Sequence, residues 1–435
     1  MRPSESASPA AASISLFLGK GGVGKSTCAA ATAVTQADSG HRVLLISTDQ
    51  AHSVSEVLGL PIAPGCGREP FRVSGEKTAS PGGSLDVLAL DTLALLERNW
   101  TDVAALLAAR FPDSDLDSVA PEELSAMPGV QEMLGLHEIT ELADSGRWDK
   151  VVVDCASTAD ALRTLTLPSS VALYAERSWP RHRRLSGNYD PRSAELIELF
   201  ERVGCAAERL AERLADEVSV SAHLVLTAER VVAAEAVRAL AQLSLTGIRT
   251  AEVIVNKVVV QDDSYAYTNL PDHPAFDWYV QRISEQREVL QLIDAAVGEV
   301  AMVLVPHLAG EPIGPQALAE LLAQSRRRDG AAPPSPLRPT LDRESGSGLG
   351  AVYRLRLELP QVDTGALSLG RSGDDLIIGT ASMRRRIRLA SVLRRCTVVD
   401  ATLRDNELTV RFAPDPQVWP VRDDEPVSGG EEVRR

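Results

Sequence analysis

Lysine is scarce in this chain: five occur in 435 residues, so nearly all of the positive charge is arginine. Positive charge as a whole is outnumbered, with 45 Lys and Arg against 60 Asp and Glu and a formal net charge of -15. A surface of that sign repels a phosphate backbone, which argues against non-specific nucleic-acid binding and favours solubility. Cysteine is equally rare. Cys28, Cys66, Cys155, Cys205 and Cys396 include no C-x-x-C pair, so neither a zinc site nor a redox pair is signalled. Their odd number and wide spacing fit a reducing cytoplasm. No apolar run approaches the length of about 18 residues that a membrane-spanning helix needs. Residues 1–12 are rich in Ser, Ala and Pro without the apolar core of a signal peptide.

What the chain does have is size and pattern. Its length allows two to three domains, and a hydrophobic fraction of 44% supports a sizeable core. Near the start, the apolar run Leu16-Phe17-Leu18 leads into Gly19-Lys20-Gly21-Gly22-Val23-Gly24-Lys25-Ser26-Thr27 and then an Ala-rich segment. This reads as strand, glycine loop and helix, and it satisfies G-x-x-x-x-G-K-[ST] with Gly19, Gly24, Lys25 and Ser26. Glycines let backbone N–H groups turn toward a phosphate, and the helix adds its N-terminal dipole. Lys25 offers a point charge for the β- and γ-phosphates, and Ser26 a hydroxyl for Mg2+. A simple phosphate loop does not require a second cation at Lys20.

Further along, 42–47 is a strand apolar on both faces, as in a parallel sheet covered by helices. Asp49 follows its carboxyl end, where ligands of open parallel sheets bind. There a carboxylate can orient or deprotonate a water attacking a γ-phosphate, or serve as a turn or helix-cap residue. Residues 61–83 read as loop, 85–90 as strand, and 91–109 and 124–142 as helical, the last broken at Met127-Pro128-Gly129. The strand 148–154 ends in Val151-Val152-Val153-Asp154, a Walker B form whose carboxylate can hold the Mg2+ shell through water; a capping Asp is the plainer alternative. Arg181-His182-Arg183-Arg184 reads as a solvated face. Helices are expected over 192–216, 229–243, 281–300 and 315–325, and strands over 222–227, 250–258 and 302–306. This alternation predicts a doubly wound, mostly parallel α/β sheet over 13–325 with a helical subdomain. Residues 326–349, with Arg-Arg-Arg-Asp-Gly, Pro-Pro-Ser-Pro and Gly-Ser-Gly, read as a linker. Period-2 alternation from Tyr353 onward predicts a small β-sandwich over 350–414. Residues 1–12 and the acidic stretch 415–435 read as disordered.

Lys20-Gly21-Gly22-Val23-Gly24-Lys25-Ser26 resembles the deviant phosphate loop of the SIMIBI-class ATPases. These include the MinD/ParA proteins, the nitrogenase iron protein, and the arsenical-pump and tail-anchored-protein-targeting ATPases. Later motifs narrow the resemblance to the arsenical-pump (ArsA) type. Ser47-Thr48-Asp49-Gln50-Ala51-His52-Ser53 is similar to its switch I D-P-A-H-S, and Met127-Pro128-Gly129-Val130-Gln131-Glu132 to L-P-G-x-x-E. The stretch from Asp154 to Arg163 resembles its switch II D-T-A-P-T-G-x-T-L-R, Val255-Asn256-Lys257 its V-N-x, and Val305-Pro306 with Glu311-Pro312-Ile313-Gly314 its P-x-x-x-x-E-P-x-G. The carboxyl-terminal part resembles the small-heat-shock-protein-like domain appended to some bacterial ArsA-type ATPases.

The resemblance implies an ATP- and Mg2+-dependent hydrolase. Lys20 would act across a dimer, Lys25 would hold the phosphates, and Ser26 would hold Mg2+ with Asp154 behind it. Asp49 would position the attacking water, and Asn256 would read adenine. Gly19, Gly21, Gly22, Val23, Gly24, Thr27 and Pro306 would complete the nucleotide site. The implied partners are a second copy or a paralogous ATPase, and a protein client or membrane partner, with no nucleic acid. Departures matter too. Gln50 replaces the switch I Pro, while Ser157 and Ala159 replace the Pro and Gly of switch II, removing both fixed and permissive φ. Slow hydrolysis is therefore expected. A nucleotide-switched chaperone or binding module with little turnover is the alternative reading. Arsenite binding has no obvious cysteine cluster behind it. Five Met give no sign of an adaptable client groove. No basic amphipathic carboxyl-terminal helix supports a MinD/ParA role.

Overall fold

The computed structural model describes residues 11–48, 53–60, 69–73, 82–98, 123, 129–178, 191–259, 272–330, 339–359, 362, 365, 367–380, 383–404 and 406–420. Asp49 to His52, Cys66, most of the expected 91–109 helix, Met127-Pro128 and Arg181 to Arg184 lie outside them. The chain divides into two compact units, 1–334 and 335–435.

The first unit is built on runs of Val, Leu and Ile that are buried on both faces. β1 (Ser13–Gly19) occupies the middle of a nine-stranded sheet, with β5 (Lys150–Asp154) on one side and β6 (Val220–Thr227) on the other. Beyond β5 lie β2 (Arg42–Ser47), β4 (Ser84–Ala89) and the two-residue β3 (Phe71–Arg72). Beyond β6 lie β7 (Thr250–Val258), β8 (Ala301–Pro306) and β9 (Arg326–Arg328). All neighbours are parallel except the two edge strands, β3 on β4 and β9 on β8. This is the doubly wound, mostly parallel sheet that the strand pattern predicts. The chain leaves β1 in one direction through β2 and β4 and in the other through β6 to β8. The carboxyl end of β1 is therefore a crevice of the kind that binds ligands.

The helices follow in order as α1 (Lys25–Asp38), α2 (Ser53–Leu58), α3 (Val130–Asp144), α4 (Thr158–Ser178), α5 (Pro191–Leu214), α6 (Arg230–Thr246), α7 (Pro274–Val297) and α8 (Pro315–Ala323). α1 is buried along Cys28, Ala29, Ala30, Ala31, Ala33 and Val34. Its small side chains let it approach the strands and α8 closely. Ala12, read as part of a disordered lead, is instead buried. Its N–H donates to the Ala143 carbonyl at 2.8 Å, and its carbonyl accepts from Arg213 at 3.0 Å.

The second unit contains a four-stranded antiparallel sheet, β10 (Thr340–Ser345), β11 (Val352–Glu358), β16 (Glu407–Pro414) and β15 (Cys396–Arg404). A three-stranded sheet of β12 (Ser368–Ser372), β13 (Asp375–Gly379) and β14 (Arg384–Arg388) accompanies it. Leu355, Leu357, Leu376, Ile378, Leu408, Val410 and Phe412 are its buried residues of alternate register. Two boundaries differ from the reading of composition. Residues 326–328 and 340–345 are strands, because neighbours supply what a polar sequence does not. β9 pairs with β8, and Asp342 of β10 accepts from Arg354 and Arg356 of β11. Residues 415–420 are also structured: Asp415 N–H donates to the Arg395 carbonyl at 2.9 Å, and Trp419 lies 6.1 Å from Tyr353 between ring centroids. Residues 421–435 are outside the described part.

Candidate functional site

The loop between β1 and α1 is closed to side chains at its two ends. A Cβ on Gly19 would collide with the Val225 carbonyl, and one on Gly24 with the Asn256 amide. Gly24 also sits at φ 91, in the left-handed region, as the N-cap of α1. Lys25 follows as the first helical residue and is buried to 8% exposure, a depth that lysine accepts only when a charge faces it. Ser26 is half-buried beside it.

Asp154 closes the floor of the site. It is 0% exposed at the end of β5, in register with Phe17 of β1 and Ser47 of β2. Its carbonyl accepts from Thr48 N–H at 3.0 Å and from Thr48 Oγ1–H at 3.2 Å, and Thr48 Oγ1 accepts from Ala156 N–H at 3.2 Å. The last described residue before Asp49 is thus laced to the start of the switch II segment. Asp49 itself lies outside the described residues. Ser26 and Asp154 both offer oxygen, the donor that a hard divalent cation takes, directly or through water.

Asn256, at the end of β7, is 5% exposed and already engaged. Its Nδ2 donates to the Val23 carbonyl at 2.9 Å, and its Oδ1 accepts from Lys257 N–H at 2.9 Å. One amide hydrogen and one lone pair remain. Pro306 stands opposite Val258 in the β7–β8 register, and His307 N–H donates to the Val258 carbonyl at 2.9 Å. Lys20 is exposed. Its Nζ lies 3.4 Å from Glu235 Oε2 on α6, a partner that the sequence did not indicate.

The thiols beside the loop are buried. Burial, with Glu252 and Asp154 adding to it and Lys257 opposing, pushes Cys28 up to about 12. Burial and Asp154, against Lys25, push Cys155 to about 12. Near Cys28, Glu252 of β7 accepts from His223 of β6 at 2.9 Å and pairs with Arg327 of β9 at 2.8 Å. Burial pushes the Glu252 carboxyl up, but these partners outweigh it and hold it below its ordinary value. His223 also stacks on Phe17 at 4.7 Å.

A cavity of about 430 Å3 opens beyond the switch segments, lined in part by Thr48, Thr92, Gln131, Glu132, Asp160 and Arg163. Glu132 Oε2 accepts from Gly129 N–H at 3.0 Å, while Arg163 lies 3.5 Å from Asp160 and 3.8 Å from Glu132. The two stretches resembling L-P-G-x-x-E and switch II therefore meet through side chains. Lys257 reaches the loop at Gly22, and Gln286 bonds Lys257 from behind; neither received a role of its own from sequence.

Residues 12–325 match the family of anion-transporting ATPases (ArsA ATPase). The chain belongs to that family. Residues 350–412 match the HSP20-like domain found in ArsA. Over its whole length the ArsA-type chain is similar to Protein Rv2184c of Mycobacterium tuberculosis, 63% identical across 96% of this chain and 100% of the relative. It is 27% identical to a putative arsenical pump-driving ATPase of Prosthecochloris vibrioformis across 91% and 95% of the two chains. It is 25% identical to the ATPase GET3 of Malassezia globosa across 70% of this chain and 87% of that one. Among the described residues of this ArsA-family member, no helix is long and apolar enough to cross a membrane.

Proposed function

We propose that this ArsA-family chain binds and hydrolyses Mg-ATP as a dimer and couples its nucleotide state to a client or partner. The observation that carries the reading is the phosphate loop: a backbone cradle closed to any Cβ at Gly19 and Gly24, with a buried lysine behind it and a buried carboxylate on its floor. In phosphoryl transfer, positioning and charge compensation matter more than covalent chemistry. Lys25 neutralises the β/γ-phosphate oxygens, and the loop N–H groups and the α1 dipole hold them. Ser26 would hold Mg2+, with Asp154 behind it through water, and the ion would supply charge that shields the phosphates. Asp49 orients the attacking water. Asn256 reads adenine with the amide hydrogen and lone pair left to it, and Pro306 borders the same turn. Lys20 leaves Glu235 to reach the partner's nucleotide; a half-exposed pair of this kind holds it by no more than about 1 kcal/mol.

Lys25→Ala is expected to lower ATP hydrolysis by about a hundredfold or more; an unchanged rate removes the reading. The role of Lys20 across subunits has its own test. Lys20→Ala and Lys25→Ala proteins, each inactive alone, should regain activity when mixed, since random two-fold pairing leaves about one site in four intact. No recovery would place Lys20 in its own site. Replacement of the switch II Pro and Gly by Ser157 and Ala159 favours a second reading, a nucleotide-switched chaperone or binding module with little turnover. Rapid steady-state hydrolysis by the purified chain decides against it.

A further inference from the structure

Lysine is spent sparingly here, five against forty arginines, yet three of the five surround the phosphate loop: Lys20, Lys25 and Lys257. A lysine ammonium brings a compact point charge with three rotatable donors on a flexible stem. Lys257 follows Asn256 within the last residues of β7, at an irregularity where the pairing with β8 shifts register. It has φ 58, in the left-handed region that strains any residue with a Cβ.

That conformation is held from several sides. Asn256 Oδ1 accepts the Lys257 N–H at 2.9 Å. Gln286 of α7, 1% exposed, donates through Nε2 to the Lys257 carbonyl at 3.1 Å and accepts through Oε1 from Val259 N–H at 2.8 Å. The result points the side chain back over the loop, where Lys257 Nζ donates to the Gly22 carbonyl at 3.2 Å. Its neighbour Asn256 holds the next carbonyl, that of Val23. Two adjacent side chains thus grip two adjacent peptide groups. Across a planar trans peptide, a carbonyl and the following N–H point in opposite directions. Pinning the Gly22 and Val23 carbonyls therefore turns the N–H groups of Val23 and Gly24 to the other side of the loop. Val23 N–H makes there only a long contact to the Lys20 carbonyl, 3.5 Å, which an anion can displace.

We propose that Lys257 is a positioning residue for nucleotide phosphates: through Gly22 it presets the phosphate loop for a polyphosphate, and Gln286 holds Lys257 in the strained strand-end conformation that this requires. The proposal rests on the nucleotide-binding reading above.

The test uses the full chain and two probes, Mg-ATP and inorganic tripolyphosphate, titrated at equilibrium. Lys257→Met keeps the backbone strain and the methylene stem but removes the donor. Loss of one charge-assisted hydrogen bond to the loop weakens binding of both probes by about tenfold, with the melting temperature unchanged. Lys257→Arg restores most of the affinity. Lys257→Gly releases the strain, so it melts higher than wild type and still binds as weakly as Lys257→Met. Unaltered binding of both probes by Lys257→Met overturns the proposal. So does a loss confined to Mg-ATP, which would make Lys257 a base contact, or wild-type affinity in Lys257→Gly. A wild-type chain that binds neither probe overturns the nucleotide reading and this proposal together.

Discussion

Cys28 and Cys155 flank the nucleotide loops, and burial with neighbouring carboxylates pushes both thiols up to about 12. At pH 8 only about one molecule in ten thousand then carries the thiolate at either site, and the thiolate is the reactive form. Cys205 on α5 is exposed. Brief treatment with a maleimide at pH 8, read by peptide mass mapping, should modify Cys205 and spare Cys28 and Cys155 until denaturant is added. Fast labelling of either would contradict their burial. Glu252 makes a second residue-scale case. Its folded value lies below the ordinary one, so its contribution to stability is complete above about pH 4.3 and drains as the pH falls through the folded value. Glu252→Gln should cost about 2 kcal/mol near neutrality, the worth of hydrogen bonds to a charged group. Urea unfolding at a series of pH values should show this difference shrinking toward zero in acid. A penalty that stays constant with pH would mean that shape, not charge, holds the network.

At the scale of elements, Glu132 ties the start of α3 to the switch II helix α4. It accepts from Gly129 N–H, an otherwise unsatisfied helix-end donor, and faces Arg163. Glu132→Ala should lower stability by about 1 kcal/mol, the usual loss for a cap, and should speed hydrogen exchange in the first turn of α3. Exchange unchanged there would show the cap to be idle. Elements of this kind also mark where sequence is readable. The strand 42–47 carries the unbroken apolar run Val43-Leu44-Leu45-Ile46, and β2 has the same bounds. The glycine pattern likewise reveals the phosphate loop, because a Cβ is excluded at Gly19 and Gly24. The start of α7 is less legible. It begins at Pro274 rather than near Gln281 because Pro at the first turn and the His273 cap, accepting from Ala275 N–H at 3.1 Å, extend the helix past its apolar stripe. α4 runs to Ser178 through Pro168, which no local preference favours. β9 and β10 escape the pattern because their arginines and acids pair with other strands. Glu235 and Gln286 were hidden because each acts from a helix distant in sequence, Glu235 on Lys20 of the loop and Gln286 on Lys257.

At the scale of the whole molecule, each unit has a buried core of its own. We expect a fragment of residues 335–435 to unfold cooperatively on heating, and a fragment of residues 1–334 to retain Mg-ATP binding. A fragment 335–435 without a thermal transition would show that the sandwich depends on its neighbour. The edges of the large sheet have a different consequence. Its outermost strands, β3 and β9, are two and three residues long, antiparallel to their neighbours and rich in arginine. Short, charged, reversed edges are poor templates for another strand. Growth by adding strands from copy to copy, the route by which exposed sheets turn into fibres, is blocked at both ends. The dimer proposed above would therefore have to use a surface other than a sheet continued through these edges.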